Sequence, residues 1–290
     1  MNNFMTRVLF VGIIVPLLFA LILLVPSYNH LPIVVIILVF CGGSALELRR
    51  IVEPDGGRYR SVIALMMALI PPIAVYLTRL TRDGSSIVAG WLAPLSVAVI
   101  AAFSVGAIPL AFPRTESMTR TAVSRVGANA LYLIYPGALS TAMIAILGAP
   151  RGAGMLLVWF AFMVFGNDSM AWLAGVTLGK HRGIFAVSPN KSLEGTMAGI
   201  CGSLVAALLG PVVFPTLIDA NWIMLACLGL AIGVAVVTGD LLESALKRAA
   251  GVKDSGTIVP GRGGMLDSFD SLLLSAPLFA AFIAVMGLLP

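Results

Sequence analysis

Two histidines and three cysteines in 290 residues leave little material for several common catalytic centres. His30 and His181 are separated by several apolar runs and fall on opposite sides of the membrane those runs imply. This argues against a histidine-based zinc site and against a serine triad. Cys41, Cys201 and Cys227 lie within or at the ends of apolar runs without metal-ligand spacing, and read as small packing residues. Charge is also scarce. Only 11% of residues are charged, 59% are hydrophobic and the mean hydropathy is +1.04, which excludes an ordinary soluble globular domain. No stretch between the apolar runs is long enough to fold as a soluble domain, and there is no fixed-period repeat or low-complexity tract.

The chain has instead a series of apolar runs of the ~17–25 residues that cross ~30 Å of hydrocarbon as a helix. The candidates are 8–25, 32–48, 61–77, 87–112, 127–147, 154–178, 193–217, 222–245 and 271–289. They predict an all-α polytopic membrane protein with nine transmembrane helices, the weakest being 154–178, which contains Asn167 and Asp168. The first run follows Arg7 but precedes no small-x-small cleavage site, so it is expected to be a retained span. Residues 1–150 and 151–290 read as the N-terminal and C-terminal helices of one integral unit, the second carrying the chemistry. With the N-terminus cytoplasmic, Arg79, Arg82 and Arg151 are the lysines and arginines that fall outside; all others fall inside. The net charge of +5 therefore reads as topology and contact with anionic lipid, not nucleic acid. The expected location is a bacterial inner membrane, with the polar loops facing the cytoplasm.

In the first half, Arg49, Arg50, Glu53, Asp55, Arg58 and Arg60 read as a solvated surface loop. Glu47, near a span end, is expected to reach the interface, and Pro71–Pro72 predict a kink. The second half differs. Polar groups recur at Asn167 to Lys180, Ser188 to Gly195 and Gly239 to Asp270, all on the predicted inner face, and are expected to converge on one cavity.

The segment from Gly239 to Asp270 carries most of the chemistry. Asp240 and Glu243, three apart, share a helix face, and Lys247 lies one turn beyond; a Glu243–Lys247 ion pair is the simplest account of those two residues. Asp267 and Asp270, again three apart, open the last span, where acidic residues also complement the helix dipole. Two acidic pairs on neighbouring spans point to Mg²⁺ and phosphate oxygens at the membrane surface. Pro260 to Gly264, with Arg262 at its centre and Lys253–Asp254 before it, suits a backbone cradle for an anion. Upstream, Ser188 or Ser192 is placed to cap a helix, Lys191 to meet phosphate, and Glu194 to orient it or hold metal. Asp168 is an intramembrane carboxylate, a functional candidate by default. Gly175 to Lys180 is not a P-loop: the spacing is one residue short and His181 stands where serine or threonine is needed.

These residues resemble the phosphatidate cytidylyltransferases, or CDP-diacylglycerol synthases. That family's C-terminal signature appears as Ser244, Lys247–Arg248, Lys253–Asp254, Pro260–Gly261–Arg262–Gly263–Gly264 and Asp267–Ser268–Phe269–Asp270. An upstream pattern appears as Ser188, Pro189, Asn190, Lys191, Ser192, Glu194 and Gly195, with Asp168 and Gly239–Asp240 matching further family positions. The resemblance is specific over residues 165–272. Arg262 replaces the family's histidine, Ser268 its arginine, Asn190 one of its paired lysines and Ser192 its threonine, while every acidic position is kept.

The resemblance implies cytidylyl transfer from CTP to phosphatidate, with CDP-diacylglycerol and pyrophosphate as products. It implies Mg²⁺ held by Asp240 and Asp267, a second cation such as K⁺, and Asp254 and Asp270 as supporting or alternate ligands. Lys191, Lys247, Arg248 and Lys253 would then hold phosphates, joined by Ser188, Arg262, Gly263 and Gly264, while Asp168 and Glu194 orient partners. It also implies a homodimer. Two other readings stay open: a membrane nucleotidyltransferase for another lipid phosphate, and a lipid or ion transporter, although the first half lacks the paired weak spans a transporter predicts.

Overall fold

The computed structural model describes residues 13, 16–81, 92–113, 115–259 and 263–289. Its helices are α1 (Ser27–Val52), α2 (Arg58–Thr81), α3 (Ala93–Gly106), α4 (Glu116–Tyr132), α5 (Leu139–Leu147), α6 (Ala153–Thr177), α7 (Leu193–Leu208), α8 (Gly210–Val213), α9 (Trp222–Ala249) and α10 (Leu266–Val285). Among the described residues no strand forms; Arg182 pairs with Ser192, and Val259 with Gly263, as isolated bridges. Among the described residues seven helical spans are long and apolar enough to cross a membrane, so the chain is an integral membrane protein of all-α architecture. They include α4 and α5 as one span, Glu116–Leu147, joined through a π-helical turn at Leu133–Ala138. The described parts of the two remaining predicted spans, residues 16–24 and the 14-residue α3, are helical but shorter.

Long aliphatic side chains such as Val35, Val39, Val97 and Ile223 point outward, as they must in lipid. The packed interior combines aliphatic side chains such as Leu48, Ile144, Leu156 and Leu228 with aromatics and with small residues where helices come close. α6 packs most extensively against α7, and α9 packs against both α7 and α10. Close approach depends on glycine: a Cβ at Gly229 would lie 2.6 Å from the Leu204 Cα, and one at Gly233 2.9 Å from the Ile200 Cα. Gly229→Val is accordingly expected to cost about 1–3 kcal/mol by overpacking. A lowered melting temperature in detergent is the readout, and an unchanged one would show that α7 and α9 can part without penalty. Phe279 of α10 seats against Trp159 and Phe160 of α6, with ring centroids 5.5 Å and 5.1 Å apart. α10 also packs on α5 and α1, so the two halves share one interior.

The weak predicted span is a continuous helix, because its polar residue is satisfied internally. Asn167 Nδ2 donates to Ser203 Oγ (3.1 Å) and to the Gly233 carbonyl (3.2 Å), tying α6 to α7 and α9. α2 likewise runs through Pro71 and Pro72 as a single helix. Pro72 cannot donate to the Ala68 carbonyl four residues earlier, and the buried Cys41 thiol lies 3.3 Å from that oxygen.

Two expectations for the first half are corrected. The loop between α1 and α2 is not a solvated charge cluster throughout: Arg60 is 2% exposed. It pairs with Glu53 at 2.7 Å and donates to Asn129 Oδ1 at 2.9 Å, while Tyr132 donates to Glu53 at 2.8 Å. α4 brings these neutral partners over the loop, which no local pattern announces. Glu47 does not reach the interface either. It is 1% exposed and turned toward the start of α10.

Candidate active site

A cavity of about 530 Å³ opens where the ends of α6, α7, α9 and α10 meet the 178–192 loop. α6 contributes Asp168 and Trp172, the loop Arg182, Asn190 and Lys191, α9 Asp240, and α10 Asp267 and Asp270. α7 starts at this wall because Ser192 caps it, accepting from Gly195 N at 3.1 Å. The three polar segments of the second half are thus brought to one place.

The acidic residues fall into two groups. Asp240, Glu243 and Asp270 each offer an oxygen lying within 4.8 Å of the others, a spacing suited to a divalent cation. Glu243 and Asp270 are buried, and Glu243 Oε1 has no hydrogen-bond partner among the described residues. An unpartnered buried carboxylate oxygen is costly unless something binds it, so this trio fits a metal ion. Asp267 is committed elsewhere. Its Oδ1 is 2.5 Å from Lys247 Nζ, and its Oδ2 accepts from Ser255 N (3.0 Å), Ser255 Oγ (2.9 Å) and Gly264 N (2.7 Å). In this conformation the two acidic pairs seen in sequence are regrouped, with Asp267 holding the loop before α10 while Asp270 joins α9's carboxylates.

The cations are similarly divided. Lys247 bridges Glu243 and Asp267 at 2.5 Å each, so the expected ion pair one turn apart is present and extended. Lys191 pairs with Asp240. Burial lowers the Lys191 ammonium from its usual value, opposed by the neighbouring charges of Asp270, Asp168 and Glu243. Arg182, which the motif reading did not single out, also lines the cavity. It donates to the Asn190 carbonyl (2.7 Å) and the Gly175 carbonyl (2.7 Å), clasping the loop to α6.

Other predicted site residues stand apart from the cavity wall. Glu194 accepts from the backbone N of Lys180 (3.2 Å) and His181 (3.2 Å) and lies 2.6 Å from His181 Nδ1, which fastens the loop. Arg248 bonds the Val252 and Val187 carbonyls. Lys253 and Asp254 are exposed, and Ser188 closes a turn with Lys191 N. Gly263 has φ 110°, a conformation glycine alone takes readily, and its N–H bonds the Val259 carbonyl. The Gly264 N–H faces Asp267. The expected anion cradle is therefore occupied by the protein's own groups at these two positions; Arg262 lies outside the described residues.

The cytidylyltransferase family model matches residues 5–286, nearly the whole chain. The chain belongs to the cytidylyltransferase family. Among curated relatives, it is 38% identical over 133 residues to an uncharacterized protein, YnbB, of Escherichia coli, covering 46% of this chain and 44% of that protein. It is 41% identical over 137 residues to the phosphatidate cytidylyltransferase of Synechocystis, covering 46% and 45%. It is 38% identical over 147 residues to that of Helicobacter pylori, covering 50% and 53%. The chain thus spans about half the length of the curated relatives it matches.

Two of the departures from the phosphatidate signature, Ser268 and Asn190, sit around the carboxylates rather than among them. Ser268 Oγ donates back to the Gly264 carbonyl at 3.1 Å, a short-range bond in place of an arginine's reach. Asn190 lines the cavity beside Lys191, and its carbonyl is held by Arg182. One residue beside the site reads in the sequence only as an interface residue. Glu47 of α1 accepts from Met265 N (3.0 Å), Leu266 N (2.8 Å) and Ser255 Oγ (2.8 Å). Its separation of 208 to 219 positions from these partners explains the omission, since no spacing rule links them.

Proposed function

We propose that this protein transfers a cytidylyl group from CTP to phosphatidate, forming CDP-diacylglycerol and pyrophosphate at the cytoplasmic face of a bacterial inner membrane. The observation that carries this reading is the convergence of Asp240, Asp270 and Lys191 on one cavity at the ends of membrane-spanning helices, with Glu243 buried beside the two aspartates. Membership of the cytidylyltransferase family and resemblance to enzymes named phosphatidate cytidylyltransferase support it.

A phosphatidate oxygen attacks the α-phosphorus of CTP, forming a new P–O bond as the bond to the β-phosphate oxygen breaks. Both reactants are anions, so the site must neutralise charge rather than remove a proton. A chain with two histidines suits that demand. Asp240, Glu243 and Asp270 would hold Mg²⁺, with Asp267 and a second cation such as K⁺ beside it. The ion supplies electrostatic stabilisation of phosphate oxygens. Lys191, once released from Asp240, presents its ammonium to the triphosphate. Lys247 stays between Glu243 and Asp267 and keeps both carboxylates in register. Arg182 holds the loop that carries Lys191. A homodimer belongs to the same reading.

The test is incubation of the purified protein with phosphatidate, Mg²⁺ and α-labelled CTP. Labelled CDP-diacylglycerol, absent when EDTA replaces Mg²⁺, is the expected result. Asn190, Arg262 and Ser268 favour a second arm with other lipid phosphates in place of phosphatidate. Product there alone moves the assignment to another lipid phosphate, and no product in either arm removes the nucleotidyltransferase reading.

A further inference from the structure

α10 begins at Met265 without a capping side chain of its own. Its first backbone N–H groups need acceptors, and the local sequence Gly263–Gly264–Met265–Leu266 offers no side-chain oxygen. The acceptor comes from the other half of the chain. Glu47 Oε1 takes the Met265 N–H at 3.0 Å and Oε2 the Leu266 N–H at 2.8 Å. The carboxylate also meets the positive end of the helix dipole, which favours its charge.

Glu47 does more than end a helix. Its Oε2 also lies 2.8 Å from Ser255 Oγ, and the same hydroxyl lies 2.9 Å from Asp267 Oδ2. One hydroxyl thus sits between two carboxylates, and a line of direct contacts runs from Glu47 through Ser255 and Asp267 to Lys247 and Glu243. Space for this arrangement is reserved by glycines. A Cβ at Gly256 or Gly264 would overlap a Glu47 oxygen, and one at Gly43, a turn earlier on α1, would overlap the Met265 side chain. Two close approaches to one carboxylate, and a third to the Met265 residue whose amide it holds, describe a built seat, not a chance contact.

We propose that Glu47 is a positioning residue: from α1 it fixes Ser255 and the first turn of α10, and so sets where Asp267 and Asp270 stand relative to the cation and phosphates in the cavity. The activity arm of this inference rests on the function proposed above; the metal arm does not. Glu47 touches no reacting atom, and it acts through the backbone of Met265 and Leu266 and through Ser255. It would also make the N-terminal helices part of the site's geometry, since no described residue between 151 and 290 supplies these acceptors in the structure.

The experiment compares wild type, Glu47→Gln, Glu47→Ala and Ser255→Ala as full-length protein in detergent. Mn²⁺ affinity is measured by electron paramagnetic resonance, and hydrogen exchange is followed at Met265 and Leu266. Removing a group that orients a metal's ligands typically costs 10–100-fold in metal affinity or activity. Glu47→Ala should therefore weaken Mn²⁺ binding about 10–100-fold and speed exchange at both amides. Glu47→Gln, which keeps the shape but loses the charge, should fall between it and wild type. In turnover, kcat should drop with Mn²⁺ affinity while the KM for CTP changes less. Ser255→Ala leaves the helix cap in place, so it keeps the inference testable if Glu47→Ala fails to fold; it should weaken Mn²⁺ binding without speeding exchange at Leu266. Folded Glu47→Gln and Ser255→Ala proteins that bind Mn²⁺ as wild type does would overturn the inference and leave Glu47 as a helix cap alone. If wild type binds Mn²⁺ but makes no labelled product, the proposed reaction fails, and the Mn²⁺ comparison still decides the role of Glu47.

Discussion

Asp240→Ala should reduce labelled CDP-diacylglycerol formation by roughly 10³-fold, equivalent to about 4 kcal/mol of transition-state stabilisation. Asp240 is the one member of the carboxylate trio that is not buried, and it is the member paired with Lys191. Its loss removes a cation ligand and at the same time leaves Lys191 without its resting partner. The remaining pair, Glu243 and Asp270, would keep a weakened site, so part of the effect should be recovered at high Mg²⁺ concentration. Folding should be little changed, because the Asp240 side chain is 37% exposed and lies at the cavity rather than in the helix interface. The measurement is kcat/KM for CTP across a Mg²⁺ series, alongside the melting temperature. Activity above a tenth of wild type in a well-folded variant would exclude Asp240 from the metal site and direct attention to Asp267.

Glu53→Ala is the substitution expected to harm stability most, by about 3–5 kcal/mol. It strands Arg60, whose side chain is 3% exposed, without its carboxylate, and it also takes the acceptor from the Tyr132 hydroxyl. The neutral partner Asn129 would remain on Arg60, held in place by its own bond to the Gly106 carbonyl at 2.9 Å. A buried cation with one neutral acceptor is a poor arrangement, which is why breaking such a pair costs more than forming it gains. The double variant Glu53→Leu with Arg60→Met should recover much of the loss, since it removes both charges together. Thermal unfolding in detergent reads the effect. Equal melting temperatures for wild type and Glu53→Ala would mean that water reaches Arg60, and the pair would count as a surface one.

Much of the architecture was legible along the chain because lipid imposes a simple rule: a spanning segment must be long, apolar and internally hydrogen-bonded. Composition therefore announced the helices, and the polar segments at 167–180, 188–195 and 239–270 stood out against them. A serine cap, Ser188 or Ser192, was readable because capping is a local matter of three residues, and the structure gives it to Ser192. The Glu243–Lys247 contact was readable because four residues make one helical turn. The same local rules misjudged Arg60 and Glu47, whose partners Asn129 and Met265 are brought in by α4 and α10 from far along the chain.

By itself, then, the sequence determined a helical membrane protein and the small set of polar residues able to do chemistry, and it carried a resemblance to one family, because hydropathy, turn periodicity and motifs are properties of neighbouring residues. The tertiary structure decided how those residues are shared out. It places Asp270 with Asp240 and Glu243, turns Asp267 toward Ser255 and Lys247, and brings Glu47 under the last helix. The reason is geometric: which carboxylate is free for a ligand depends on which donors reach it, and for Asp267 these come from the end of α9 and from loop residues that the fold turns back onto α10.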